Sequence, residues 1–215
     1  MKLKLTLITV LLAVASMAHA QGVVSNLSIG AGFEGIFPAS TLNKAPYLGG
    51  GYPTTQSTTN SIGAIGDIRY DFGRHSALGA AITVNRNTEY FADTYGYVSK
   101  VQSNNMEMIG TYIFRLPSNE RVKPFAMFGG GMIRFSPNND NNVGGVPAAV
   151  TKPAFAYGFG TDFKLSDHWS VRLQYRGLLR SSPDFKLSSS DPTNTFGTNL
   201  RAHVPEPSIQ AVYHF

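Results

Sequence analysis

The sequence predicts an all-β protein, an eight-stranded antiparallel up-and-down transmembrane β-barrel preceded by a cleaved signal peptide. Three observations carry this. Apolar and polar residues alternate at period two through eight separate segments. The connections between those segments run long, short, long, short. Aromatic residues gather beside the short connections and at the C-terminus, where barrel walls meet the boundary between lipid and water.

Composition agrees. Only 14% of the 215 residues are charged, against about a quarter in soluble domains. Glycine (22 residues), Ser, Thr, Asn and aromatics fill the deficit, and hydrophobic content is 42%. Gly, Asn and β-branched residues are poor helix formers, which argues against a helix-rich enzyme. The same composition, with no cysteine, excludes a disordered chain, a coiled coil and a disulfide-stapled mini-protein.

Residues 1–20 read as the signal peptide. Lys2 and Lys4 form a basic start, 5–15 is an apolar run broken only by threonine, and Ala18-His19-Ala20 is a small-x-small cleavage site before Gln21. The run is short of the roughly 18 apolar residues that span a bilayer as a helix. Residues 21–215 are the expected barrel domain. Cleavage removes two lysines from a formal charge of +5, and nucleic acid is not an expected partner.

The elements follow in order. Residues 27–37 set Leu27, Ile29, Ala31, Phe33 and Phe37 against Ser28, Gly30, Gly32 and Glu34. Residues 61–72 set Ile62, Ala64, Ile68, Tyr70 and Phe72 against Gly63, Asp67, Arg69 and Asp71, with Ile65 as the exception. Residues 77–86 offer Leu78, Ala80, Ile82 and Val84. Residues 104–115 set Met106, Met108, Tyr112 and Phe114 against Asn105, Glu107, Thr111 and Arg115. Residues 125–135 set Phe125, Met127, Ile133 and Phe135 on the apolar face, with Arg134 opposite. Residues 153–164 set Phe155, Tyr157, Phe159 and Phe163 against Gly158, Gly160, Asp162 and Lys164. Residues 169–176 alternate Trp169, Val171, Leu173 and Tyr175 with Ser170, Arg172, Gln174 and Arg176. Residues 207–215 close the chain with Ile209, Ala211, Tyr213 and Phe215. Each segment is near the 9–11 residues a tilted strand needs to cross a bilayer.

Connections at 73–76, 115–123 and 165–168 are short, whereas 38–60, 87–100, 136–152 and 181–204 are long and polar. Outer-membrane barrels have short periplasmic turns and long external loops. Tyr70, Phe72, Tyr112, Phe114, Phe125, Phe163, Trp169, Tyr213 and Phe215 are expected to form one aromatic ring at the short-turn end.

The C-terminal run of Ile209, Ala211, Tyr213 and Phe215 resembles the sorting signal of outer-membrane barrels. Gly158-Phe-Gly-Thr-Asp-Phe-Lys-Leu-Ser-Asp-His-Trp-Ser-Val-Arg-Leu-Gln-Tyr175 resembles the penultimate hairpin of small OmpA-like transmembrane domains and opacity-type surface antigens. Lys123-Pro-Phe-Ala-Met-Phe-Gly-Gly-Gly131 is similar to their fifth strand. The resemblance covers roughly the C-terminal half, and no peptidoglycan-binding domain is expected to follow. It implies a bacterial outer-membrane surface protein acting in envelope structure, adhesion or host contact. Its implied partners are membrane lipid and lipopolysaccharide, the barrel-assembly machinery through Phe215, and an extracellular ligand of the loops.

No catalytic, cofactor or metal site is expected. Gly30-Ala-Gly32-Phe-Glu-Gly35 matches the dinucleotide fingerprint in form, but Ile36-Phe37-Pro38 cannot open the helix that fingerprint requires. Asn138-Asn139-Asp140-Asn141-Asn142 has too few carboxylates for a calcium loop and reads as solvated loop. His75, His168, His203 and His214 show no metal spacing, and His75-Ser76 is the only adjacent His–Ser pair.

The polar faces carry six acids (Glu34, Asp67, Asp71, Glu107, Asp162, Glu206) and six bases (Arg69, Arg115, Arg134, Lys164, Arg172, Arg176). Unpaired buried charge is costly, so the expectation is a lumen plugged by ion pairs around Glu34, Glu107, Arg134, Arg172 and Arg176. Asp71, Arg115, Lys164 and Glu206 fall at strand ends, where solvation is the competing account. The alternative function is a small pore, or a channel for hydrophobic solutes as in OmpW-like barrels. A secreted lipocalin-like carrier, with the apolar face inward, is opposed by the aromatic ring, by Phe215 and by the lack of an N-terminal Gly-x-Trp, Trp169 being the single tryptophan.

Overall fold

The computed structural model describes residues 25–43, 54–92, 98–117, 121–143, 145–187 and 201–215. The segment read as a signal peptide lies outside them. The described chain is all strand and turn: β1 (Leu27–Ile36), β2 (Thr41–Asn43), β3 (Thr54–Thr58), β4 (Ser61–Asp71), β5 (Ser76–Ala92), β6 (Val98–Arg115), β7 (Val122–Asn142), β8 (Val150–Lys164), β9 (Trp169–Ser181) and β10 (Arg201–His214). Eight of these, β1 and β4 to β10, pair antiparallel with their neighbours, and β1 also pairs β10, so the sheet closes on itself. Closure removes both sheet edges, the one way a β-structure can satisfy its backbone in lipid.

Alternation then decides what each side of the wall touches. Phe33, Ile62, Leu78, Ile82, Phe128, Phe159, Leu173 and Ile209 are exposed on the outer surface. Their strand neighbours Glu34, Thr83, Arg172, Gln174, Ser208 and Gln210 are buried inside. Apolar outside and charged inside is the reverse of a water-soluble barrel, so the lipocalin reading fails. Leu173→Arg is expected to destabilise the refolded barrel by about 2–4 kcal/mol in lipid, whereas Val98→Arg, on the hairpin above the membrane, costs about 0–1. Urea unfolding in vesicles measures both, and equal losses would contradict the orientation.

The aromatic ring forms at the short-turn end with one exchange. Phe72 packs on Tyr112, Tyr112 on Phe128, Trp169 on Tyr213 and Tyr213 on Phe215. Phe125 is not in it. β7 faces the other way from the sequence expectation: Phe125, Met127, Ile133 and Phe135 are buried in the lumen, and Arg134 is exposed on the outer wall. Both faces of this strand are apolar, and Gly129-Gly130-Gly131 breaks the alternation that would have fixed the phase.

The long connections are shorter than their polarity suggests. β5 runs to Ala92, β6 starts at Val98, β7 continues to Asn142, β9 to Ser181, and β10 begins at Arg201. The wall therefore extends beyond the lipid as paired hairpins. Thr54–Thr58 pairs with the upper part of β5, and the Thr59 amide donates to the Thr88 carbonyl, so β3 and β4 form one wall strand broken at 59–60. Residues 138–142 belong to β7, where the Asp140 carboxylate is taken by Lys100 at 3.0 Å. The fingerprint-like glycines lie in β1; a Cβ on Gly32 would sit 1.9 Å from the Ile209 carbonyl oxygen of the adjacent strand.

Candidate functional site

The lumen is the place where chemistry-bearing side chains converge. β9 supplies its axis, because Arg172, Arg176 and Arg180 recur at intervals of four on a period-two strand and all point inward. They stack in three tiers.

Nearest the short turns, Arg172 grips Asp162 through two bonds (2.6 and 3.2 Å) and reaches Asp67 at 2.7 Å. Arg69 joins from β4, donating to Asp67 at 2.9 Å and to Gln174 at 2.7 Å. Its guanidinium lies 4.4 Å from the centre of the Phe125 ring, a cation–π contact in a water-poor interior.

In the middle tier one guanidinium serves three carboxylates. Arg176 donates from Nε to Glu206 (2.7 Å) and from Nη2 to Glu34 (2.8 Å) and Glu107 (2.9 Å). Thr83 donates to Glu34 and Asn85 to Glu107, each at 3.1 Å. Oxygens of the three glutamates lie within 4.8 Å of one another, a spacing that suits a metal ion. Arg176 already occupies the centre as the cation, so the donor set does not fit a metal.

The upper tier is Arg180 with Glu89 at 3.2 Å, and Glu89 also accepts from Thr58 at 2.6 Å. Around and above it the lumen turns apolar: Phe185, from the connection after β9, packs edge-on between Phe91 and Phe135, with Ile36, Val101, Val204 and Leu187 around them. Phe185 and Lys186 both adopt left-handed backbone angles (φ 50° and 54°). Non-glycine residues hold that conformation only where their surroundings enforce it. Two voids bordering the charged tiers measure about 10 Å³ each, room for about one water.

The expected plug is present in kind and differs in membership. Glu34, Glu107, Arg172 and Arg176 meet in it as expected. Arg134 does not, since it faces outward, and Lys164 pairs with Asp167 in the exposed 165–168 turn, where the ammonium holds the Asp167 carboxyl below its ordinary value. Arg115 and Asp71 pair at the rim at 2.7 Å. Sequence reasoning missed Arg180, Glu89 and Thr83. Arg180 was findable, because it continues the Arg172–Arg176 spacing. The balance also shifts: three glutamates face one arginine in the middle tier. Among the histidines, His75 faces the Arg115 carbonyl (3.2 Å) while Ser76 bonds Tyr112, so that adjacent pair is not a dyad. His214 does meet Ser170 at 2.8 Å, with no described carboxylate bonded to the ring.

A closed barrel with a lipid-facing apolar coat and a charged, filled interior defines an integral protein of the bacterial outer membrane. The chain belongs to the outer membrane protein beta-barrel domain family, whose model matches residues 6–203. Its fold is similar to that of the outer membrane protein OprG from Pseudomonas aeruginosa (11% identity, 90% of this chain and 97% of that one, TM-score 0.57). It is equally similar to Neisserial surface protein A (14% identity, 89% and 98%, TM-score 0.57). Ail, the attachment invasion locus protein of Yersinia pestis, solved with the heparin analogue sucrose octasulfate, matches at 17% identity over 88% and 97% (TM-score 0.50). No curated protein matches the chain in sequence.

Proposed function

We propose that the protein is a closed scaffold of the outer membrane that presents its long-connection end to the outside, serving envelope structure and surface adhesion. The observation that carries this reading is the lumen itself, crossed by three tiers of paired charge and capped by Phe185. A rigid wall filled by its own side chains suits a platform, and binding on such platforms resides in the connections. Lys186 and Arg201 are exposed at that end, with no described acid within ion-pair distance, and Ail, of the same fold, is seen with a polyanionic glycan analogue. Insertion proceeds from the signal segment 1–20 to the assembly machinery that reads the Phe215 terminus, and lipopolysaccharide surrounds the outer half. The test is adhesion of expressing cells to an immobilised sulfated polysaccharide. Salt-sensitive adhesion that Lys186→Gln with Arg201→Gln abolishes supports the reading, and adhesion equal to non-expressing cells sinks it.

A channel for apolar solutes is the second reading, favoured by one observation: the upper lumen is lined by Ile36, Val101, Val204 and three phenylalanines. It requires Phe185 to move aside. Phe185→Ala would then raise uptake of an apolar solute, and unchanged uptake would remove the reading.

A further inference from the structure

The charged residues that face outward rather than inward point to a site on the wall. Along β5, β6 and β7 the outward side chains form cross-strand rows that slope with the strand tilt. Ile82, Met108 and Met132 make one, Val84, Met106 and Arg134 the next, and Arg86, Asn104 and Ser136 the one above. From Ser76, the register partner of Phe114 of the aromatic ring, to Arg86 is ten residues of β5. At a tilt of about 40° this is a rise of about 25 Å, the height of the apolar band on such barrels. Arg134 and Arg86 therefore stand at its upper boundary, on the two strands that flank β6.

They line a single open groove of about 580 Å³ with Val84, Asn104, Met106 and Ser136. Both arginines are exposed, and neither is within ion-pair distance of a described acid. Arg86 donates from Nε to the Asn104 oxygen at 2.9 Å. That bond fixes the guanidinium along the wall and leaves its terminal amines, and Nδ2 of Asn104, as free donors. Arginine forks match phosphate oxygens geometrically and are less strongly hydrated than lysine. An uncompensated pair of them at a lipid boundary, above a strip of Val, Met and Ile, is shaped for a headgroup phosphate whose acyl chains run down that strip.

We propose that this groove binds the phosphate of an outer-leaflet phosphorylated glycolipid, the lipid A class. The inference rests on the reading that the long-connection end faces outward. Binding of lipid A bisphosphate to the full-length barrel, refolded in detergent and shown to be heat-modifiable, is measured by native mass spectrometry. Arg86→Gln with Arg134→Gln is expected to weaken it at least tenfold, while Arg74→Gln with Arg121→Gln, an equal charge change at the opposite end, leaves it unchanged. Equal binding by the two double variants overturns the proposal. So does equal binding of lipid A stripped of its phosphates, which would mean acyl contact alone, or of phosphatidylglycerol, which would mean any anionic lipid suffices. Orientation is read separately, by labelling Asp140→Cys on intact cells with a membrane-impermeant maleimide. Labelling with failed lipid binding removes only the groove; absence of labelling removes the orientation and the leaflet assignment with it.

Discussion

Arg176→Met destabilises the barrel by about 3–5 kcal/mol, the range for removing one partner of a buried charge pair. Arg176 is among the largest fully buried side chains, and its loss leaves Glu34, Glu107 and Glu206 facing one another without a cation. Methionine fills much of the volume, so packing is not the main loss. The readout is urea unfolding in vesicles, followed by Trp169 fluorescence. Adding Glu107→Gln to the Arg176→Met background should recover part of the loss, because neutralising one carboxylate relieves the repulsion the first change exposes. The two effects are then non-additive, as expected for groups in one network. A loss below about 1 kcal/mol for Arg176→Met would mean the glutamates are solvated and no plug exists.

Phe125→Ala is the second large effect, about 3–5 kcal/mol. Its ring is buried beside Ala77, Ile113 and Met127 and carries Arg69 on its face. Truncation opens a cavity and strips the cation–π partner from a buried guanidinium at once. Phe128→Ala, three residues along on the outer wall, leaves a gap that lipid fills and should cost distinctly less. If the order were reversed, β7 would face the way its sequence alone suggests.

That strand marks where the sequence stops being legible. Elsewhere within the lipid belt the charged and most polar side chains of a wall strand gather on one face, and the phase is readable: Arg172, Gln174 and Arg176 against Leu173 and Tyr175 is unambiguous. Within residues 125–135 of β7 the one charge, Arg134, lies at the lipid boundary, where facing outward is cheap, while its strand neighbours Ile133 and Phe135 are buried inside. Assigning charge to the interior is sound only within the lipid belt. The strand ends were hidden for a related reason. Above the membrane the outer face meets water, and polar residues stand on both faces of 87–92 and 98–103, with Asn87, Glu89 and Ser103 buried inside and Thr88, Lys100 and Gln102 on the outer side. These segments therefore show no alternation and look like loop while pairing as sheet. The plug was legible in its residue types; its tiers were not, because cross-barrel partners such as Arg176 and Glu34 are 142 residues apart.

The central claim is that the lumen is closed, and conductance across a planar bilayer tests it most directly. Refolded protein, shown to be inserted by its heat-modifiable band and by protection of its wall from protease, is expected to give no discrete current steps. Reproducible unitary steps from that same material would mean the Arg172, Arg176 and Arg180 tiers leave a continuous water path, and the scaffold account would give way to a channel.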